Sequence, residues 1–564
     1  VLRGGPAQSA RKRIAFLKLI IVGGVAGGAS CAARARRLDE SAEIVLLDRG
    51  LYVSFANCGL PYLVGDVIKD EKSLLVATPQ LFRDRFNIDV RTQSDVLQID
   101  REGRSVEIKD LKTGRVYRES YDALVLSPGA APIRPPLPGI DLPGIFALRT
   151  IPDSRHILKW IAQKNVRDAV IVGGGFIGLE MAENLTGAGI RTSILEMQEQ
   201  ILPPFDGDMV RSLEEHLKSR GVTLHLGDAL TGFELPADGR LIVNAKSGLK
   251  LSADLVILSI GVKPETALAQ GCGLEIGARG GIRVDDGMHT SDPRIWAVGD
   301  AVEKKDFMTG EWAAVPLAGP ANRQGRVAAD NIFGRKSVFR GVQGTAVCKA
   351  FDQVAALTGL SEKALTRAGR AYEKIYLHPG HHAGYFPNAK PIHLKVIYAP
   401  DDGRILGAQA VGEEGVDKRI DVIAMAIQMG ATVHDLEEAE LCYAPQFGAA
   451  KDPVNIAGMI AGNARNGDAP ITHWNQLAGG SDLLLDVRDL EEYDSGHVPG
   501  AVNMPLNQVR ARMGELPKHR PIRVYCAAGQ RGYYAVRALR QHGYDASNIS
   551  GGIQMYHQSL ETSR

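Results

Sequence analysis

Two cysteines in this 564-residue chain stand in settings that activate a thiol. Cys58 lies in Ser54-Phe55-Ala56-Asn57-Cys58-Gly59-Leu60-Pro61-Tyr62, with no second cysteine within 25 residues. Any disulfide formed at Cys58 must therefore take its other sulfur from outside the chain. Proline suits a helix's first turn and not its interior. Pro61 thus places Cys58 at a helix N-terminus, where the dipole lowers a thiol pKa. Cys526 follows the strand sequence Ile522-Arg523-Val524-Tyr525 and opens Cys526-Ala527-Ala528-Gly529-Gln530-Arg531-Gly532, a loop leading into a helix. Cys31, Cys272, Cys348 and Cys442 read as small buried hydrophobes, the usual fate of free cysteine.

The elements that must position Cys58 repeat. Leu19-Ile20-Ile21-Val22-Gly23-Gly24-Val25-Ala26-Gly27-Gly28 is a strand and glycine loop entering a helix. Ala169-Val170-Ile171-Val172-Gly173-Gly174-Gly175-Phe176-Ile177-Gly178 is the same unit 150 residues later. Each is followed by an apolar strand ending in an acid: Asp48, with Arg49 beside it, and Glu196. Such a unit binds an adenine dinucleotide. The glycines admit the pyrophosphate, the helix N-terminus supplies N–H groups, and the acid takes the ribose hydroxyls. Gly173-x-Gly175-x-x-Gly178 is complete, whereas Val25 replaces the middle glycine of the first loop. Glu196 would repel a 2′-phosphate and so favours NADH, although Arg191 could help accommodate NADPH.

A net charge of +1 gives no bulk field for nucleic acid or an anionic membrane. No apolar run approaches membrane-span length. Six scattered cysteines fit a reducing cytoplasm. The fold class expected is α/β, with an α+β module inserted. Residues 1–18 are basic and read as a disordered extension. Residues 19–150 and 266–335 form a first dinucleotide domain around a second at 151–265. Strand-rich sequence spans Val90 to Val125, and two apolar strands run into Ser127-Pro128-Gly129 and Ser259-Ile260-Gly261. The α+β module is placed at 336–460, a Gly/Asn/Asp-rich linker at 461–470, and a compact α/β unit at 471–564. No metal site is expected: His378, His381 and His382 have no carboxylate or cysteine beside them and read as a surface loop.

The order of glycine loops, Ser54-Phe55-x-x-Cys58-Gly59 and Ala297-Val298-Gly299-Asp300 resembles the FAD-dependent pyridine nucleotide-disulfide oxidoreductases across about residues 19–455. Ordinary members keep two cysteines where this chain has only Cys58. The resemblance implies FAD in the first unit and NAD(P)H in the second. It implies Asp300 on the ribityl chain and Pro316, Leu317 and Ala318 opening a helix toward the flavin. Phe176 and Glu180 would line the nicotinamide pocket. Single-cysteine members divide into two groups. Peroxide- and oxygen-reducing members carry a histidine in the first glycine loop, where this chain has Ala26. Members reducing coenzyme A disulfide or persulfide carry the full Ser-Phe-x-x-Cys-Gly-Leu-Pro-Tyr pattern found here. In that group two tyrosines from the partner of a homodimer approach the thiol, and Tyr385 and Tyr443 resemble them; interface packing is the alternative. Arg34 and Arg37, i and i+3 on one helix face, with Ser54 and Asn57, resemble the CoA contacts; a solvated face is the alternative.

The last 90 residues resemble a rhodanese sulfurtransferase domain, with Leu483-Leu484-Leu485-Asp486 as its buried strand. Cys526-x4-Arg531 is tighter than the Cys-x5-Arg loop that holds phosphate, and suits a persulfide. The combined reading is NADH-driven, FAD-dependent reduction of CoA persulfide or disulfide at Cys58. Sulfane sulfur from a donor would arrive through Cys526. An NADH oxidase or peroxidase, or a redox-sensing flavoprotein with a sulfur-binding module, are the rival readings.

Overall fold

The computed structural model describes residues 17–237, 239–477 and 482–560. Most of the expected 1–18 extension lies outside them; Lys18 itself opens the first strand.

Two parallel five-stranded sheets carry the nucleotide units. In the first, the order is Ile295–Ala297, Ala123–Leu126, Lys18–Val22, Glu43–Asp48, Asp89–Thr92. In the second it is Thr223–His225, Arg191–Leu195, Asp168–Val172, Leu255–Leu258, Ile145–Ala147. Strands covered on both faces read as continuous apolar runs. Leu19, Ile20 and Ile21, and Val170, Ile171 and Val172, are accordingly buried.

An antiparallel sheet follows, ordered Ala346–Ala350, Gln353–Gly359, Ile405–Gly412, Ile392–Tyr398, Glu373–Leu377. Helix Val416–Gln428 lies on it through Ile420, Ile423 and Ile427. Buried Lys395 joins this sheet to the second nucleotide unit. Its Nζ sits 2.9 Å from Asp206 and 3.1 Å from Asp208, and it also pairs with Glu362. These three carboxylates are the one group with metal-ligand spacing among the described residues, and Lys395 pairs with all three, Lys374 also with Glu362.

The expected linker is half helix. Helix Pro453–Arg465 runs through its first five positions. Glycine and alanine there are packing residues: Ala461 is fully buried, and a Cβ at buried Gly462 would lie 3.1 Å from Glu437 Oε2. The last unit has a parallel sheet ordered Ile471–Thr472, Ala546–Ile549, Ile522–Tyr525, Leu483–Asp486, Val502–Asn503. It docks on the antiparallel sheet, where the Tyr376 N–H donates to Ser550 Oγ at 2.8 Å. His381 and His382 are buried, not on a surface loop, and Cys442 is exposed rather than buried. No helix among the described residues is long and apolar enough to cross a membrane.

Candidate active site

The two glycine loops are built alike. A Cβ at Gly23 (φ +95°) would lie 2.0 Å from the Ser127 carbonyl oxygen, and one at Gly173 (φ +108°) 2.5 Å from that of Ser259. At Gly28 and Gly178 it would strike the carbonyl oxygens of Gly23 and Gly173, at 1.8 and 2.0 Å. Only glycine lets each helix sit this close to its strand. Helices Gly27–Arg36 and Phe176–Gly187 start with no side-chain cap and no acid in the first turn. Their free N–H groups and dipoles suit an anion. At Gly175 a Cβ would meet nothing within 4 Å, so the space over this loop is open to a ligand. Ile177 is exposed beside it.

The acids match as well. Asp48 accepts from the Gly24 and Gly50 N–H groups at 2.8 and 2.7 Å. Glu196 accepts from Gly174 and Gln198 at 2.6 and 2.8 Å. Each carboxylate oxygen keeps a further acceptor site for a ribose hydroxyl. Exposed Arg191 pairs with Asp168 through two bonds of 2.7 and 2.8 Å, which compete with a phosphate for it. The loops differ at one point. The first helix starts four residues after Gly23, the second three after Gly173.

A third helix, Ala318–Ile332, crosses the first so closely that a Cβ at Gly325 would lie 2.2 Å from the Gly27 carbonyl oxygen. Pro316 and Leu317 lead into it, and its N-terminus also lacks a side-chain cap. Gln324 is fully buried; its Oε1 accepts the Gly299 N–H at 2.7 Å, while its Nε2 has no protein partner. Burial pushes the neighbouring Asp300 carboxyl up, against the pull of Lys304 and Arg149. Burial brings Lys304 down to about 8. Arg49 and Arg149 both pair with Glu265, at 2.6 and 3.2 Å. Gly129 and Gly261 turn the chain with φ of +77° and +109°. Uncapped helix ends, an unspent amide and a buried carboxyl together fit a dinucleotide such as FAD. Arg149 and Lys304 carry no motif; a charged residue inside the buried run Val302–Glu303–Lys304 was the available signal.

The thiol segment hangs from the first loop. Ser54 (φ +47°) donates its N–H to the Gly24 carbonyl at 2.7 Å. Asn57, Cys58 and Gly59 form a 3-10 turn running into helix Leu60–Val64, so Cys58 sits two residues ahead of that helix. Cys58 is exposed, with Asn57 Oδ1 3.8 Å from its sulfur. Its thiol is pushed up, not down: desolvation dominates, and the charges of Glu180 and Asp300 add to it. A short turn does not offset that desolvation and the two carboxylates. Burial and Glu183 push Glu180 itself up to about 7, while Tyr62 hydrogen-bonds it. Tyr62 was legible only as part of the motif; its link to Glu180 is tertiary.

Tyr385 and Tyr443 meet, hydroxyl to hydroxyl, at 2.5 Å on an exposed face. Neither is among the groups whose charge reaches Cys58 within one chain. Arg34 and Arg37 are not equivalent. Arg34 pairs with Asp330 at 2.7 Å, whereas exposed Arg37 hydrogen-bonds the Ala33 carbonyl and has no ion pair among the described residues.

In the last unit, Cys526 is buried at the end of strand Ile522–Tyr525. The Gly529 N–H donates to its sulfur at 3.1 Å, ahead of helix Gln530–Gln541. Arg531 is clamped by Glu492 at 2.5 and 2.7 Å. The segment 550–553 closes the loop from behind, the Ile553 N–H donating to the Cys526 carbonyl at 2.9 Å.

Paired dinucleotide cradles over a lone thiol define a reductase that moves electrons between nicotinamide and sulfur. Residues 17–325 match the pyridine nucleotide-disulphide oxidoreductase family, 345–452 its dimerisation domain, and 470–559 the rhodanese-like domain. The chain belongs to the pyridine nucleotide-disulphide oxidoreductase family. Coenzyme A disulfide reductase of Staphylococcus haemolyticus is 35% identical over 79% of this chain and 99% of its own length. The crystal structure of reduced CoADR-RHD from Bacillus anthracis superposes with TM-score 0.95 at 45% identity, covering 98% of this chain and 99% of that one. A NAD-dependent persulfide reductase from A. fulgidus gives 0.90 at 35%, covering 96% and 100%.

Proposed function

We propose that this chain is an NADH-driven, FAD-dependent reductase of CoA persulfide and CoA disulfide, working as a homodimer. One observation carries the reading: Cys58 is exposed and unpaired between the two cradles, so its second sulfur comes with the substrate. The relatives that match over nearly all of this chain are named for those two chemistries and share its rhodanese-like unit.

FAD bound in the first cradle supplies two-electron transfer from NADH to sulfur. The chain's residues do the rest. Gly173, Gly175, Gly178 and the helix beyond them hold the NADH pyrophosphate, with Phe176 and Glu180 facing the nicotinamide. Cys58 as thiolate attacks the CoA sulfur of CoA persulfide, forming a Cys58–S–S–CoA mixed disulfide and releasing HS⁻. Two electrons return Cys58 to thiolate and free CoA as thiol. The net change is NADH + CoA-SSH giving NAD⁺ + CoA-SH + HS⁻. With CoA disulfide, one further proton is taken up and two CoA thiols leave. The partner's tyrosine pair would supply protons to departing thiolates. Exposed Arg37, with Ser54 and Asn57, is the better-placed contact for CoA, since Arg34 is already paired. Cys526 would carry sulfane sulfur from a donor and pass it to the CoA thiol.

A water-forming NADH oxidase from Lactobacillus brevis also superposes, with TM-score 0.76 at 26% identity, over 80% of this chain and 99% of that one. The histidine-free first loop argues against that chemistry here. The test is a pair of half-reactions on Cys58→Ser. NADH should still bleach the flavin, while turnover of CoA disulfide and CoA persulfide should vanish. A variant keeping a tenth of the wild-type disulfide turnover sinks the assignment.

A further inference from the structure

Tyr385 and Tyr443 stand 58 residues apart in sequence, on two irregular segments with no strand pairing between them. Something else must hold their hydroxyls at 2.5 Å on an exposed face. Arg419, 1% exposed on helix Val416–Gln428, joins the two segments. Its guanidinium reaches both segments. Nη2 donates to the His381 carbonyl at 2.7 Å, four residues before Tyr385. Nε and Nη2 grip both oxygens of Asp452, at 3.2 and 2.8 Å, on the segment that leaves Tyr443.

Asp452 is also buried and caps helix Pro453–Arg465, accepting the Val454 N–H at 3.1 Å. Asn455, in the same cap, donates to the carbonyls of Leu436, Glu437 and Ala439, the stretch entering the Tyr443 segment. The segments touch directly at one backbone bond, Ala383 N–H to the Gly448 carbonyl at 2.8 Å. Gly415 leaves room for the fork: a Cβ there would lie 2.4 Å from Arg419 Nη1. A planar guanidinium can serve two oxygens of one carboxylate and a carbonyl at once, and a lysine ammonium cannot in this geometry.

We infer that Arg419 and Asp452 are positioning residues for the Tyr385–Tyr443 pair, fixing the geometry in which it meets the partner's thiol. The inference rests on the reading that the pair serves Cys58. The step it affects is proton delivery to the thiolate leaving the mixed disulfide.

The test uses holoenzyme dimers of Arg419→Lys, Tyr443→Phe and the double variant. Asp452→Asn, which keeps a capping oxygen, is the second route should Arg419→Lys not fold. Flavin content and dimer mass are the controls. NADH should reduce the flavin at wild-type rate in Arg419→Lys and Asp452→Asn, because the clamp lies outside both glycine loops. Reoxidation of the reduced enzyme by CoA disulfide should fall by about tenfold or more in Arg419→Lys, the scale of a misplaced group. The double variant should be no slower than Tyr443→Phe alone, because Arg419 acts through the pair. Losses that multiply in the double variant, or a full rate in Arg419→Lys beside an impaired Tyr443→Phe, overturn the clamp while leaving the tyrosines in place. A full rate in Tyr443→Phe overturns the tyrosine reading, and the clamp's role with it.

Discussion

Glu180 should weaken the protein it serves. Its carboxyl is pushed from 4.5 to about 7, chiefly by burial, with Glu183 adding to it. The native state thus holds this proton to higher pH than the unfolded chain does. Between about pH 4.5 and 7 the native state binds more protons, so stability falls as pH rises through that window. At about 1.4 kcal/mol per unit, the full cost is roughly 3 kcal/mol, paid above pH 7. Glu180→Gln keeps an acceptor for Tyr62 and removes the charge. It should match wild type near pH 4.5 and be more stable by about 2–3 kcal/mol at pH 8. For a cooperative unit of about 200 residues, that raises the apparent Tm by roughly 4–12 °C. Removing this charge should also lower the Cys58 thiol, which Glu180 holds up. Thermal scans of the holoenzyme at pH 5 and 8, and iodoacetamide labelling of Cys58 against pH read by peptide mass, check both effects. An equal Tm change at the two pH values refutes the buried-charge argument. An unmoved labelling profile refutes the electrostatic link to the thiol.

Two further outcomes follow from the cradles and the last unit. With Glu196 buried against its loop and Arg191 tied to Asp168, kcat/KM should favour NADH; about tenfold needs only 1.4 kcal/mol. Equal efficiency with NADPH removes the argument. Cys526→Ser should abolish sulfur transfer from thiosulfate yet leave CoA disulfide reduction nearly intact, and separated halves should couple the two activities less efficiently than the fusion. Equal coupling by mixed halves reduces the fusion to co-expression.

The cradles were legible because they are local. A strand, a glycine loop, a helix and an acid lie within some 30 residues, and each glycine has a steric reason to be glycine. Cys58 was legible through its isolation, but its environment was not. Desolvation chiefly reverses the expected effect of a helix end, and Glu180 from the second unit and Asp300 from the far end of the first add to it. The same holds for Arg34, whose partner Asp330 lies 296 residues away. Glycine misled in the opposite direction at 461–465. There it marks close helix packing, not a break, and only the Asp452-Pro453 cap well before the Gly-rich stretch could have signalled a helix.

The docking of the last unit constrains how sulfur could travel. The segment after strand Ala546–Ile549 does two things at once. Ile553 bonds the Cys526 carbonyl, and a Cβ at Gly552 would lie 2.3 Å from that oxygen. One and two residues earlier, Gly551 packs against Tyr376 and His378, and Ser550 takes the Tyr376 N–H. Met555 then buries itself in the core shared with the second nucleotide unit. Swinging this unit as a carrier arm would expose Met555 and leave the Tyr376 N–H unpaired, while disturbing the very loop that holds Cys526. The moving part of a relay between Cys526 and Cys58 is then the substrate. A long, flexible thiol such as CoA, anchored by its phosphates, can present one sulfur to two fixed cysteines in turn. A thiol without an anchored arm would have to leave one site and diffuse to the other, and this is a physical reason for such a reductase to work on CoA persulfide.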